Sequence, residues 1–279
     1  ALDVSMWKTS GHYDKYKENM YFTEVEEREY ALKPMNCPTH CLIFGAGKQS
    51  YRDLPIRYAD FGRLHRYERS GVTQGLTRVR TFCQDDGHIF CAPEQMKAEM
   101  ASFFKFIMKI YDTFGFEEVR VMLSTRPEKR IGSDEIWDLA ETALAEGLRE
   151  AGIDFKESPG DGAFYGPKIE FQVLDALKRP WQLGTLQVDY FLPERFGLRY
   201  TRADNTEGTP VMLHRAILGS LERFMGILIE HCAGAFPTWL APVQLTVLPI
   251  TDRVQAYAAE VREKALALGL RAEIDVRNE

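Results

Sequence analysis

The clearest periodicity lies at 93–115, PEQMKAEMASFFKFIMKIYDTFG, where apolar residues recur at helical spacing. It predicts a helix with Pro93 in its first turn and Gly115 at its end, and its Met and Phe stripe reads as core packing. EEVRVML at 117–123 reads as a strand, and SDEIWDLAETALAEGLREAG as a second helix opened by Ser133 and closed at Gly152. HRAILGSLERFMGILIEHC, 214–232, predicts a third helix with an apolar face. Residues 35–50 read as a turn and a short helix, FGRLHRYER at 61–69 as strand, SGVTQGLTR as a loop and RVRTFCQDDGHIFC at 78–91 as the returning strand. The stretch 155–192 reads as two or three strands with glycine-marked turns.

Hairpins dominate this order, which predicts an α+β fold, an antiparallel sheet flanked by helices, over 1–241. Pro237 and Pro242 mark a linker. QLTVLPI, TDRVQAYAAEVREKALALG and RAEIDV then follow as strand, helix and strand, one βαβ unit at the start of a small α/β domain, 242–279. That segment is too short to close a core of its own. Residues 1–30 are polar and aromatic without a clear period, and the first of them lack an initiator Met and begin mid-pattern, as expected of the cut end of a longer chain.

Composition narrows the class. The 279 residues are 45% hydrophobic and 27% charged, ordinary for a folded soluble protein. No apolar run approaches the roughly 20 residues of a membrane span. Five cysteines, an odd number, argue against a secreted disulfide framework and for a reducing, cytoplasmic compartment. The net charge of −6 gives no support for nucleic-acid binding, so any RNA contact needs a local basic patch.

The candidate chemistry begins in FCQDDGHIF, 82–90. Strand side chains alternate faces, so Phe82, Gln84, Asp86, His88 and Phe90 share one face and Cys83, Asp85 and Ile89 the other. An amide, a carboxylate and an imidazole in a row between aromatics are either a solvated strand face or part of a site. Cys37, His40, Cys41, His65, Cys83, His88, Cys91, His214, His231 and Cys232 are the candidate metal ligands, but with neither CxxC nor HExxH, local spacing does not select among them. Arg66, Arg69, Arg78 and Arg80 surround the 70–78 loop, with Glu68 on the strand face of Arg66. They are either surface ion pairs or phosphate ligands, since the guanidinium fork suits phosphate. Arg223 stands on an otherwise apolar helix and calls for an anionic partner: Glu222, another carboxylate or a ligand phosphate.

HRYE, a loop and RTFCQDDGHIF together resemble motif 2 of the class II aminoacyl-tRNA synthetases, and GSLERF resembles motif 3. MNCP at 35–38, QDDGH at 84–88, GAFYGPKIEF at 162–171, WQLGTLQVDY at 181–190 and HRAILGS at 214–220 resemble the threonyl-tRNA synthetase family, and PTWLAPVQ resembles the entry to its anticodon-binding domain. The resemblance implies that Cys37, His88 and His214 ligate a Zn²⁺ that selects the amino and hydroxyl groups of L-threonine. It implies that Met35, Gln84, Asp86, Tyr165 and Gln187 bind the amino acid, with Asp86 on the hydroxyl. It assigns ATP to Arg66 (α-phosphate), Glu68 and Phe82 (adenine), Arg78 and Arg223 (outer phosphates), and Gln182 and Thr185 (ribose), with Mg²⁺ accompanying the nucleotide. Lys168 adds charge near the carboxylate and phosphate, and His12 resembles a general base for transfer to the 3′ end of tRNA(Thr).

Gln182 and Gln187 have opposite parity on a regular strand, so a bulge at Gly184 is required to bring both into one site. The resemblance also implies a homodimer, although the motif 1 proline is absent from this sequence, and an editing domain N-terminal to the core. Without that domain this chain is expected to make serine errors, because a missing methyl is worth only about 1–3 kcal/mol. The rival readings are a synthetase-like binding or regulatory protein with reduced catalysis, a prolyl or seryl relative, and a zinc hydrolase.

Overall fold

A computed structural model of the protein describes residues 1–175 and 177–277. Its centre is a seven-stranded sheet. In chain order the strands are β1 Ile56–Asp60, β2 Asp86–Cys91, β3 Val119–Ser124, β4 Lys156–Ser158, β5 Lys168–Leu174, β6 Pro180–Asp189 and β7 Val211–Ala216. Their spatial order is β4-β3-β5-β6-β7-β2-β1, with only the β3–β4 pair parallel. Among its helices are α1 Cys37–Gly45, α2 Met96–Thr113, α3 Asp134–Glu150 and α4 Leu221–His231. The fold is α+β, an antiparallel sheet flanked by helices, as the alternation of hairpins and amphipathic helices predicts.

Alternation along the strands divides the sheet into two faces. Phe171 on β5 meets Phe103 and Phe104 of α2 with ring centroids 6.0 and 6.3 Å apart. Gly184 on β6 faces the same helix so closely that a Cβ there would overlap Ile107 Cδ1. On the opposite face Phe90 stacks on Phe44 of α1 at 4.7 Å, in a core shared with Cys37, Cys41 and Met212. This second face, between α1 and the N-terminal segment, carries the site.

Three local features of the backbone matter, two of which depart from the sequence pattern. The helix expected over 214–232 begins only at Leu221, and His214 to Ala216 belong to β7, inserted between β6 and β2. VMLHRA has no long apolar period of its own, and two flanking strands supply its hydrogen bonds. The turn that follows is pinned by Asp85, whose carboxylate accepts from the N–H groups of Ile217 (2.8 Å), Leu218 (3.1 Å) and Gly219 (2.9 Å). Gly219 has φ +70°, and a Cβ there would meet Leu183 O at 2.5 Å.

Second, the strand expected over 61–69 shortens to Arg63–His65, paired with Thr81–Cys83. A tight turn, Glu68 N–H to Arg66 O at 2.9 Å, takes the chain out of the ladder. Third, the register of β5 against β6 shifts: Phe171 opposes Gly184 but Gln172 opposes Gln182, leaving Leu183 as the extra residue. This is the bulge that the glutamine parity required.

Asp85→Ala strips the acceptor from three N–H groups at once. It is expected to cost about 3 kcal/mol or more, from hydrogen bonds to a charged group worth about 1.5–3 kcal/mol each. The urea midpoint reads this directly, and a loss below about 1 kcal/mol would show that the turn holds without its carboxylate.

Two compact units are present, Ala1–Ile227 and Leu228–Glu279, the division falling inside α4. In the second, β8 Leu245–Val247 and β9 Ala272–Ile274 pair in parallel and α5 Gln255–Ala267 connects them. This is the expected βαβ unit. Residues 278 and 279 of the 242–279 segment lie outside the described residues. Among the described residues no helix is long and apolar enough to cross a membrane.

Candidate functional site

Two adjoining cavities open on the site face. The first, about 390 Å³, is lined by Met35, Cys37, Arg66, Gln84, Asp86, His88, Tyr165, Lys168, Gln182, Thr185, Gln187 and His214, among others. The second, about 140 Å³, is lined by Arg66, Glu68, Arg78, Phe82, Gln84, Gln182, Thr185 and Arg223, among others. Arg66, Gln84, Gln182, Thr185 and Ala216 line both and so mark their junction.

In the first cavity one cysteine and two histidines converge. Cys37 opens α1, His88 sits on β2 and His214 lies directly across from it on β7. Their donor atoms all lie within 4.8 Å of one another, and all three residues are buried. His88 Nε2 is 3.0 Å from His214 Nδ1. Two nitrogens on one tetrahedral zinc lie roughly 3.3 Å apart, given zinc–nitrogen bonds of about 2.0–2.1 Å, so the set fits that ion. Burial pushes the Cys37 thiol well above its ordinary pKa, helped by the nearby Asp86 charge. Burial likewise pushes the His88 imidazole well below its ordinary pKa. A buried sulfur that is costly to ionise alone, beside two buried imidazoles, is the environment in which a divalent cation compensates the thiolate charge.

Around this cluster stand groups of defined direction. Asp86 accepts from Asn36 Nδ2 at 2.9 Å, and burial raises it to about 6. Tyr165 donates to Gln187 Oε1 at 2.9 Å, its ring 5.1 Å from that of His214. Lys168 pairs with Glu170 at 2.6 Å. His214 Nε2 is 2.9 Å from Asp189 Oδ2, and His88 Nδ1 is 2.7 Å from His40 Nδ1. His40, a candidate ligand by residue type, therefore stands behind His88 and not beside the cluster.

The second cavity is cationic. Arg66 lies over the Phe82 ring at 5.0 Å and donates to Pro34 O at 3.3 Å. Arg78 pairs with Glu68 at 3.0 Å. Arg223 donates to Thr77 O at 2.7 Å and Gln182 O at 3.1 Å. Glu222 is not its partner: that carboxylate turns away to accept from Cys83 N and Ser220 Oγ, both at 3.1 Å. Burial lowers the pKa of Arg223, and the positive charges of Arg78 and Arg66 lower it further. Three guanidiniums that repel one another around a small cavity suit a polyanion.

His12 is placed differently from the other expected site residues. It is wholly buried and is not among the residues lining either cavity. Its Nδ1 is 2.8 Å from Ser10 Oγ and its Nε2 3.1 Å from Met35 Sδ, and burial pushes it down to about 3. The motifs give no role to Asn36 or Asp189, and none to His40 beyond its residue type. Each lies in or beside one of the motifs, but nothing in spacing says that it bonds to a site residue from another element.

The family model of the tRNA synthetase class II core domain (G, H, P, S and T) matches residues 21–232. The chain belongs to this class II family. Among curated class II relatives, it is 57% identical over 278 residues to a threonine–tRNA ligase of Bdellovibrio bacteriovorus and 56% identical to one of Dechloromonas aromatica. It is matched over 100% of its own length but spans only 42% and 44% of theirs. Among solved class II structures, one described as the RNA binding domain of threonyl-tRNA synthetase from Cryptosporidium parvum superposes with a TM-score of 0.96 at 48% identity. The match covers 100% of this chain and 70% of that one. A prolyl-tRNA synthetase from the same organism, at TM-score 0.70 and 17% identity, covers 99% of this chain and 51% of its own and shares the fold.

Proposed function

We propose that this chain is the aminoacylation core of a threonine–tRNA ligase. It activates L-threonine with ATP to threonyl-adenylate and passes the threonyl group to the 3′ end of tRNA(Thr). The observation that carries this reading is the Cys37–His88–His214 cluster beside Asp86, in a cavity adjoining a second lined by three arginines. On this reading 1–241 is the catalytic domain and 242–279 the start of an anticodon-binding domain, in a cytoplasmic homodimer.

Met35, Gln84, Asp86, Tyr165 and Gln187 bind threonine in the first cavity, with Asp86 accepting from its hydroxyl. Phe82 and Glu68 hold the adenine, Gln182 and Thr185 the ribose, and Arg78 and Arg223 the outer phosphates. The cofactors of this reading are Zn²⁺, which when held by Cys37, His88 and His214 supplies Lewis-acid coordination to the threonine amino and hydroxyl groups, and Mg²⁺, which accompanies ATP. A threonine carboxylate oxygen attacks the α-phosphorus, a new P–O bond forms and pyrophosphate leaves. Arg66, at the junction of the cavities, faces the charge that builds there, with Lys168 on the amino-acid side. His12 is neutral, as a base for the transfer step must be, but its low pKa makes it a weak one.

The test is amino-acid-dependent exchange of pyrophosphate into ATP with threonine, serine, valine and proline, before and after zinc chelation. Threonine-dependent exchange lost on chelation is expected, with measurable exchange on serine. Folded, zinc-loaded protein that exchanges with none of the four would replace this reading with a binding or regulatory protein.

A further inference from the structure

The two histidines of the cluster are not free to choose which nitrogen they present. We propose that Asp189 and His40 are positioning residues that fix this choice, so that His214 offers Nδ1 and His88 offers Nε2 to the cation. The inference rests on the proposed zinc site and concerns residues to which that reading gives no role.

Asp189 is fully buried at the end of β6. Its Oδ1 accepts from the N–H groups of Phe191 (2.7 Å) and Leu192 (3.0 Å), and its Oδ2 lies 2.9 Å from His214 Nε2. A carboxylate held this way only accepts, so the His214 proton sits on Nε2 and Nδ1 carries a lone pair facing the cluster. On the other ring, His88 Nδ1 is bonded to His40 Nδ1 at 2.7 Å, and its Nε2 faces His214 Nδ1 at 3.0 Å.

Without a cation the four groups form one directed chain. His40 Nδ1–H donates to His88, His88 Nε2–H donates to His214 Nδ1, and His214 Nε2–H donates to Asp189. A cation between the two inner nitrogens requires a lone pair on both. His214 already has one. His88 must carry its proton on Nδ1 instead, and that proton then needs an acceptor in a buried site. His40 is the acceptor, once its own proton moves to Nε2. The imidazoles lose no proton in this exchange, and only His88 and His40 change tautomer.

Asp189→Asn is the sharp test because it keeps the shape. The amide oxygen can still accept from Phe191 and Leu192, but the NH₂ then points at His214 Nε2 and moves the ring proton to Nδ1, into the cluster. His40→Phe removes the acceptor behind His88, whereas His40→Asn retains one. Zinc affinity is measured by competition with a chromophoric chelator, with circular dichroism and melting as the check on folding. Long-range ¹H–¹⁵N spectra of histidine-labelled protein identify the coordinated nitrogen.

Asp189→Asn and His40→Phe are expected to bind zinc about 10–100-fold more weakly, with His40→Asn close to the unaltered chain. The unaltered chain is expected to show Nδ1 coordination at His214 and Nε2 at His88. Spectra with the opposite nitrogens, or folded variants that hold zinc as tightly as the unaltered chain, would overturn the inference. Should a variant not fold, the spectra of the unaltered chain still decide. An unaltered chain that binds no zinc would instead sink the proposed function itself.

Discussion

Threonine is expected to exceed valine in pyrophosphate exchange by about 10⁴–10⁵-fold, and Asp86→Ala is expected to cut that margin by about 100-fold. Valine fills the same volume and differs in placing a methyl where threonine has its hydroxyl. A pocket that measures size alone separates such a pair poorly, whereas one whose buried polar groups demand the hydroxyl rejects the analogue by about 10⁴–10⁵-fold. Asp86 is such a group: it lines the first cavity, its side chain is only 14% exposed, and Asn36 Nδ2 at 2.9 Å holds one of its oxygens. With valine bound, the remaining acceptor capacity is desolvated without a donor. In Asp86→Ala the threonine rate should fall by about 100-fold, the worth of a strong charge-assisted hydrogen bond, while the valine rate barely moves. Parallel kcat/KM measurements give the margin in both proteins. A margin that falls by less than about 10-fold in the variant would detach Asp86 from the hydroxyl and leave discrimination to the metal cluster.

Arg66→Ala should lower kcat for exchange by about 10²–10³-fold, the usual effect of deleting one donor that faces developing charge. The reason is positional. Arg66 lines both cavities, whereas Arg78 and Arg223 line only the second. A nucleotide whose outer phosphates lie among Arg78 and Arg223, reacting with an amino acid in the first cavity, must bring its α-phosphate to the junction. Arg66 is held there before substrate arrives, over Phe82 and against Pro34 O. Arg223→Ala, by contrast, should appear first as a raised KM for ATP, because its contact is with a part of the nucleotide whose charge changes less in the rate-determining step. If Arg66→Ala raises KM and leaves kcat intact, the guanidinium binds substrate and transition state equally and the α-phosphate lies elsewhere.

Part of the site is legible in the amino-acid sequence. Alternation in FCQDDGHIF puts Gln84, Asp86 and His88 on one face because period-two geometry survives the break between Thr81–Cys83 and β2. The two glutamines of β6 demand a bulge beside Gly184, and the register shift supplies it. The long helices α2 and α3 are readable because little besides an amphipathic helix produces an apolar stripe at that spacing. His214 is harder. Its segment reads as part of a helix, yet it lies on a strand buried on both sides, where alternation is lost and the apolar run before Leu221 imitates the helix that follows. Arg223 stands out as needing a partner, but the nearest carboxylate in sequence, Glu222, bonds to Cys83 and Ser220 across the fold.

The information carried by the chain alone is therefore local and periodic: the helices, the strand faces, the βαβ unit and the residue types able to do phosphate and metal chemistry. Hydrophobic period and backbone preference act over a few residues, and a single chain records them directly. Which distant residues meet is a matter of tertiary packing. Cys37, His88 and His214 come from a helix start and two adjacent strands, and no spacing between them encodes the pairing of β2 with β7. The directions of the ring nitrogens come from still further away, through His40 and Asp189, and the burial of His12 depends on a segment with no period of its own. Contacts across the sheet are fixed by register and packing, which are properties of the assembled fold and not of any stretch within it.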